Sequence, residues 1–438
     1  MSEPRRRRGR FPRSLRYVAG IGLIGLLTAA CGSSGSSSSS SAPGVTTNSI
    51  TVGSHTPLTG VAASSGYSEI APAVKAMFDY INAKGGVNGR MLHYDYKDDA
   101  YNPSQTATVV RQLVLQNNVF GILNGLGTPT HQQVQGFLNS EKVPDLFVAS
   151  GCVCWNDTAK YPYTTGFQTN YEIEGRILGN YINQNFKGEK VGYFLQNDDV
   201  GQGGEAGLNQ EIPASDVVSK QSYDVSGIGA GFTNQMSALQ AAGAKIVVLF
   251  SVPPATALAL EAADKIGYHP QYVASSINAD RGTLIKLLSG EQGGTGAALV
   301  NGLLTAGYLP STSATSNAWI QLFKKIHDQY DTANPFDNNA IYGMSVGYTF
   351  YQLLQKSGKN VTRAGIMSAL NSANLSGPGL LPLTFSSTNH RGFEGEQMSR
   401  FDNSSPTAVT GFGPVYKTLE TGPITTYTEG QPNPPAGF

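Results

Sequence analysis

The sequence predicts an α/β protein of two lobes, each a doubly wound parallel sheet flanked by helices. Two observations carry this reading. In the stretch Val119 to Glu141, an apolar run (Val119, Phe120, Ile122, Leu123) breaks into Asn124-Gly125-Leu126-Gly127-Thr128-Pro129-Thr130, after which Val134, Phe137 and Leu138 recur at helical spacing. A short apolar strand, a glycine turn and a helix start form the unit of a parallel sheet. The same alternation runs from Ser49 to Ser150 and begins again at Thr169, and 438 residues exceed what one core organises. Thr128 is the expected N-cap, with Pro129 tolerated behind it. Such a turn leaves backbone N–H groups at the carboxyl edge of the sheet, where anions and small polar ligands bind; the alternative is an ordinary turn eased by glycine.

In order, Ser49 to Pro57 reads as the first strand. Ser68 caps a helix carrying Ile70, Val74, Phe78 and Ile81 on one face, and Gly85-Gly86 ends it. Strand Met91–Tyr96, helix Pro103–Asn117, the opening unit and strand Val143–Ser150 follow. The second series comprises helix Tyr171–Phe186, strand Lys190–Gln196, helix Gly204–Ile212, strand Val217–Tyr223, helix Phe232–Ala242, strand Lys245–Phe250, a helix from about Pro254 to Ile266, and strand Gln271–Ser275. Strand Leu303–Tyr308 leads to three helices, Asn317–Tyr330, Asn338–Gln355 and Thr362–Ala369. Leu383–Ser387, Gly392–Phe401 and Val409–Tyr416 read as a β meander, and the Pro- and Gly-rich tail 421–438 as loose.

The N-terminus reads as a leader. Seven arginines between Arg5 and Arg16 precede the apolar run Tyr17–Ala30, and Leu27-Thr28-Ala29-Ala30-Cys31 resembles a bacterial lipobox. Residues 1–30 are therefore expected to be a signal peptide, Cys31 the lipidated residue, and 31–48 a Ser/Gly-rich tether; an ordinary signal peptide is the alternative. Removing 1–30 leaves 23 basic and 29 acidic residues, a net charge near −6 that argues against nucleic acid. Export favours a disulfide between Cys152 and Cys154, whereas their one-residue spacer opposes it. No cofactor or metal is expected.

With the elements placed, Pro57-Leu58-Thr59-Gly60, Ile81 to Arg90 (INAKGGVNGR), Asp98-Asp99, Gly127-Thr128-Pro129-Thr130, Glu141-Lys142-Val143-Pro144 and Gln240 to Phe250 (QAAGAKIVVLF) stand in an ordered series. They resemble the type I periplasmic solute-binding proteins of ABC transporters, in particular the branched-chain amino acid and amide-binding group, over about residues 49–420. The resemblance implies two Rossmann-like lobes joined by three crossovers near 165–169, 299–303 and 383–388. The first lobe is then 49–167 with 303–383, and the second 168–302 with 384–420. It implies hinge closure on a ligand, delivery to a membrane permease, and a lipid anchor on the outer face of the cell membrane. It also maps carboxylate contacts onto Gly125, Leu126, Gly127, Thr128, Ser150, Gly151 and Cys152, with Ser65 over the ligand. In the second lobe, Val200 stands where a tyrosine is expected, Val252-Pro253 where an aromatic is, and Ser276 where an acid takes an ammonium. Ser251 also faces the ligand on this mapping, and a free α-amino acid then requires Asp199 or Asp280 to supply the charge.

The competing readings are an extracytoplasmic α/β enzyme and a ligand-sensing domain. No Gly-x-Ser-x-Gly or His-Glu-x-x-His stands in the chain, and the six histidines are scattered. Gly227 to Gly231 lacks dinucleotide-binding spacing, and Cys152 is a nucleophile only beside a base. The reading is a binding protein, not an enzyme.

Overall fold

The computed structural model describes residues 42–289, 296–403 and 408–438; the expected leader and Cys31 lie outside them. The first lobe begins β1 (Ser49–Thr56), α1 (Ile70–Ala83), β2 (Met91–Asp98), α2 (Pro103–Leu115), β3 (Ile122–Leu123), α3 (Thr128–Ser140), β4 (Asp145–Val148) and β5 (Thr164–Gly166). Its sheet is wholly parallel, ordered β2-β1-β3-β4-β5. The second lobe continues with α4 (Tyr171–Asn185), β6 (Val191–Gln196), α5 (Asp199–Glu211), β7 (Val217–Tyr223), α6 (Thr233–Ala241), β8 (Ile246–Phe250), α7 (Pro253–Lys265), β9 (Gln271–Ala274), α8 (Arg281–Ser289), α9 (Gly296–Leu299) and β10 (Leu304–Gly307).

The chain then returns to the first lobe as α10 (Ala318–Tyr330), α11 (Asn338–Ser357) and α12 (Arg363–Leu370). Trp319, Phe323, Ile341 and Phe350 share one apolar core with Ile50, Val74 and Phe78. A short ribbon, β11 (Asn374–Leu375) with β12 (Leu383–Thr384), precedes β13 (Gly395–Phe401), β14 (Val409–Lys417) and β15 (Thr425–Tyr427). The second sheet reads β15-β14-β13-β10-β9-β8-β6-β7, parallel from β10 to β7 and antiparallel from β10 to β15. Among the described residues, no helix is long and apolar enough to cross a membrane.

Four expectations change. The middle crossover falls after Gly307, not at 299–303, because β10 pairs with β9 and β13 and buries Leu304 and Ala306 with Val273 and Met398. The segment 383–387 pairs with β11 and so stays outside the meander. The tail is seated: β15 extends the sheet, Trp319 Nε1–H donates to Pro432 O (2.6 Å), and the Phe438 ring lies 4.9 Å from Tyr348. Helix α5 starts five residues earlier than read, capped by Asp198, whose carboxylate accepts from Val200 N–H. Its glycines masked the helical pattern and serve close packing: a Cβ on Gly207 would meet Glu172 O at 2.1 Å, on the neighbouring α4.

The three crossings lie side by side. Phe167, Tyr308 and Phe393, one from each, pack ring on ring at 5.1–5.3 Å, and Phe393 N–H donates to Phe167 O (2.9 Å). Gly392 permits this approach, since a Cβ there would meet Phe167 O at 2.2 Å.

Candidate functional site

The carboxyl ends of both parallel sheets face a cavity of about 140 Å³. Leu126, Gly127, Thr128, Tyr67 and Tyr101 line it from the first lobe, Val200, Val252, Ser276 and Asp280 from the second, and Gln168, Tyr171 and Tyr308 from the crossings and the start of α4. Lys and Arg are absent from its described lining. The lobes are linked across the cleft. Asn338 N–H donates to Asp280 Oδ2 (3.1 Å), Asn338 Nδ2 to Ala279 O (2.8 Å), and Gln132 Nε2 to the Asp199 carboxylate.

The glycine turn is built differently from expectation. Gly127, at φ 101°, occupies the N-cap position of α3, and a Cβ there would meet Thr130 Oγ1 at 2.4 Å and the Tyr101 ring at 2.5 Å. Thr128 is therefore the first helical residue rather than the cap, and its hydroxyl pairs with Ser150 Oγ (2.6 Å). Leu126 N–H donates to His55 O (3.1 Å) and Gly127 N–H to Ala149 O (3.1 Å), so these two amides extend the sheet and offer nothing to a ligand. What remains at the cavity is the first-turn amide of Thr128 and its hydroxyl.

Of the expected residues, Ser65, Leu126, Gly127, Thr128 and Ser276 line the cavity, and six do not. Gly125 covers two buried imidazoles: a Cβ there would meet His131 Nδ1 at 2.5 Å and His55 Nε2 at 2.6 Å. Ser150 lies behind Thr128, and Gly151 is wedged under the Tyr171 ring. Cys152 is joined to Cys154 in a disulfide, so it is no free nucleophile. Asp199 holds Gln132, and the Ser251 hydroxyl pairs with Thr256 (2.6 Å). Asp280 does line the cavity, its carboxylate accepting from Thr283 N–H (2.7 Å) and Asn338 N–H.

Tyrosines dominate what sequence reasoning missed. Burial holds the phenols of Tyr67, Tyr101 and Tyr308 well above the ordinary range, and that of Tyr171 at about 12, so all four stay protonated donors. The hydroxyls of Tyr67, Tyr101 and Tyr308 meet no hydrogen-bond partner among the described residues. The one local signal was the position of Tyr171 at the start of a helix leaving a crossing.

Two buried ionisable clusters flank the cleft. Behind Gly125, Asp99 Oδ2 meets His55 Nδ1 (2.8 Å), His55 Nε2 meets His131 Nδ1 (2.9 Å), and His131 Nε2 meets Asp145 Oδ2 (2.9 Å), all fully buried. Each imidazole thus lies against its own aspartate while its other ring nitrogen faces the second imidazole. Burial lowers the proton affinity of His55 below the ordinary value. Beneath Ser276, Glu174 accepts from Ser276 N–H and from Ser275 Oγ (3.1 Å), and burial raises it to about 7. Glu396, fully buried on β13, lies near Thr169 and Ser276 without a hydrogen bond in either oxygen, and burial then Glu174 hold it well above the carboxylate range.

Two α/β lobes whose sheet edges enclose one cavity, with uncharged donors on one wall and an acid on the other, make a two-lobed solute-binding protein. The chain belongs to the periplasmic binding protein family, whose model matches residues 49–403. It is 25% identical over 342 residues to the Leu/Ile/Val-binding protein homolog 2 of Brucella abortus, covering 76% of this chain and 80% of that one. Among solved structures, a fatty acid ABC transporter substrate-binding protein from Thermomonospora curvata superposes with a TM-score of 0.75 at 21% identity, over 87% of this chain and 95% of that one. A branched chain amino acid ABC transporter protein from Thermus thermophilus with bound valine gives 0.72 at 18% identity, over 86% and 98%.

Proposed function

We propose that this protein is a lipid-anchored extracytoplasmic receptor that captures a small organic solute bearing a carboxyl or amide group and hands it to an ABC permease. The observation that carries the reading is the cavity between the two sheet edges, with Thr128 and the phenols as donors and no cation on its described walls. Relatives whose names mention amino acids, fatty acids and ABC transporters support it. Val200 and Ser276 offer no charge to an α-ammonium, and Asp280, the one carboxylate of the described lining, already accepts two backbone amides, so leucine, isoleucine and valine are expected to be weak ligands.

Ligand that binds only the folded protein adds RT ln(1 + [L]/Kd), about 2.7 kcal/mol at a hundredfold excess over Kd. A thermal-shift screen of amino acids, amides and carboxylic acids is expected to raise Tm with at least one compound and to reduce the radius of gyration in scattering. A rise in Tm with unchanged scattering rules out hinge closure. Micromolar binding of leucine that is abolished in Asp280→Asn makes the ligand an α-amino acid instead.

The anchor reading rests on Cys31 between a basic, apolar leader and a serine-rich tether. Cys31→Ser is expected to move the protein from the membrane fraction to the soluble one, because stable attachment needs two or more acyl chains. Retention of the variant in the membrane fraction removes the lipoprotein reading.

A further inference from the structure

A second cavity, of about 580 Å³, opens beside the first and shares Ser65, Tyr67, Tyr101 and Val252 with it. Its own walls are hydrocarbon: Val61, Ile228, Pro254, Ala257, Leu258 and Leu287. Glu261 is the one charged group among its described lining residues, and it is engaged by Lys265 Nζ at 2.7 Å. The two spaces differ in what they can hold. An apolar cavity of roughly 150 Å³ takes a molecule the size of benzene, so the inner one accommodates a head group and little more. The outer one falls within the roughly 300–1,000 Å³ of ordinary ligand sites.

The junction between them is polar and unsatisfied. Ser65 Oγ is buried without a partner, and the phenols of Tyr67 and Tyr101 beside it donate to nothing among the described residues. A buried hydroxyl such as that of Ser65 calls for a partner, and the two phenols stand beside it as donors. Past them, three polar side chains stand among the described lining residues, Ser64, Ser226 and Glu261, fewer than a sugar or peptide would need; Ser64 Oγ already donates to Val61 O (2.6 Å). We propose that the solute is an amphiphile, with a carboxyl or amide head in the inner cavity and an uncharged hydrocarbon chain passing Tyr67 and Tyr101 into the outer one. This rests on the solute-binding reading above and adds the chain and its site.

The test is calorimetry on the mature protein with straight-chain carboxylic acids and their primary amides, from about four to about twelve carbons, below their micelle concentrations. Each added methylene is expected to tighten Kd about fourfold, the factor given by about 0.8 kcal/mol per buried CH₂. Ala257→Phe fills the outer cavity and Val61→Trp, at an exposed loop position, narrows its mouth. Both are expected to flatten the length dependence while leaving the shortest members unchanged, and the second serves if the first does not fold. Affinity independent of chain length, or a length dependence untouched by both variants, overturns the chain site while short-ligand binding keeps the solute-binding reading. Failure of the whole series while another compound from the thermal-shift screen binds also overturns it. That reading itself falls only if no compound of the screen binds.

Discussion

His131→Ala is expected to lower the unfolding free energy by about 3–5 kcal/mol, the cost of leaving a buried carboxylate without its partner. The imidazole lies between His55 and Asp145 with no exposure to solvent. Without it, Asp145 Oδ2 keeps only the Thr164 hydroxyl (2.8 Å) and Oδ1 has no partner. Urea unfolding at neutral pH measures the loss; less than about 1 kcal/mol would show that the four groups do not act as a network. The pH dependence carries a second signature. Burial makes the folded protein resist a further proton on His55, whereas the unfolded chain takes one near the ordinary value of 6.5. Stability from this group is therefore complete above pH 6.5 and declines as the pH falls below it; His390, lowered by burial as well, acts in the same direction.

Glu396→Gln is expected to stabilise the protein at alkaline pH. The Glu396 carboxyl is raised above its ordinary 4.5 by burial first and by Glu174 second, so the folded state holds a proton that the unfolded chain releases. Such a group contributes fully below pH 4.5, and its contribution falls by about 1.4 kcal/mol per pH unit as the pH rises toward its folded value. Glutamine keeps the shape and cannot ionise. The variant should match the wild type near pH 4.5 and exceed it by a margin that grows as the pH rises above that value. Parallel pH profiles would mean that Glu396 is ionised and paired in solution.

Much of the architecture was legible in the chain because it is encoded locally. Apolar runs of strand length, helical spacing and glycine breaks report on a few consecutive residues, and these sufficed for the parallel strands of both lobes and for the glycine turn at the cleft. Local signals misled where a residue served a distant neighbour. The glycines at 201 and 203 read as a loop because their packing partners stand on β6 and α4. The tail read as loose because Trp319, Tyr348 and β14, which hold it, are remote in sequence.

The sequence by itself determined the two lobes, the order of their strands and helices, the turn that opens the cleft, and the ordered motifs that mark the family. Only the tertiary structure decided which residues line the cavity. Leu126 and Gly127 lost their amides to carbonyls of β1 and of the segment after β4, Ser150 and Gly151 fell behind Thr128 and Tyr171, and five tyrosines from separate segments came together instead. His55 and His131, 76 positions apart and scattered in the chain, became one buried pair in ring-nitrogen contact. The reason is the range of the forces: periodicity and turn chemistry act between near neighbours, whereas desolvation and hydrogen-bond satisfaction act on whatever the fold brings together.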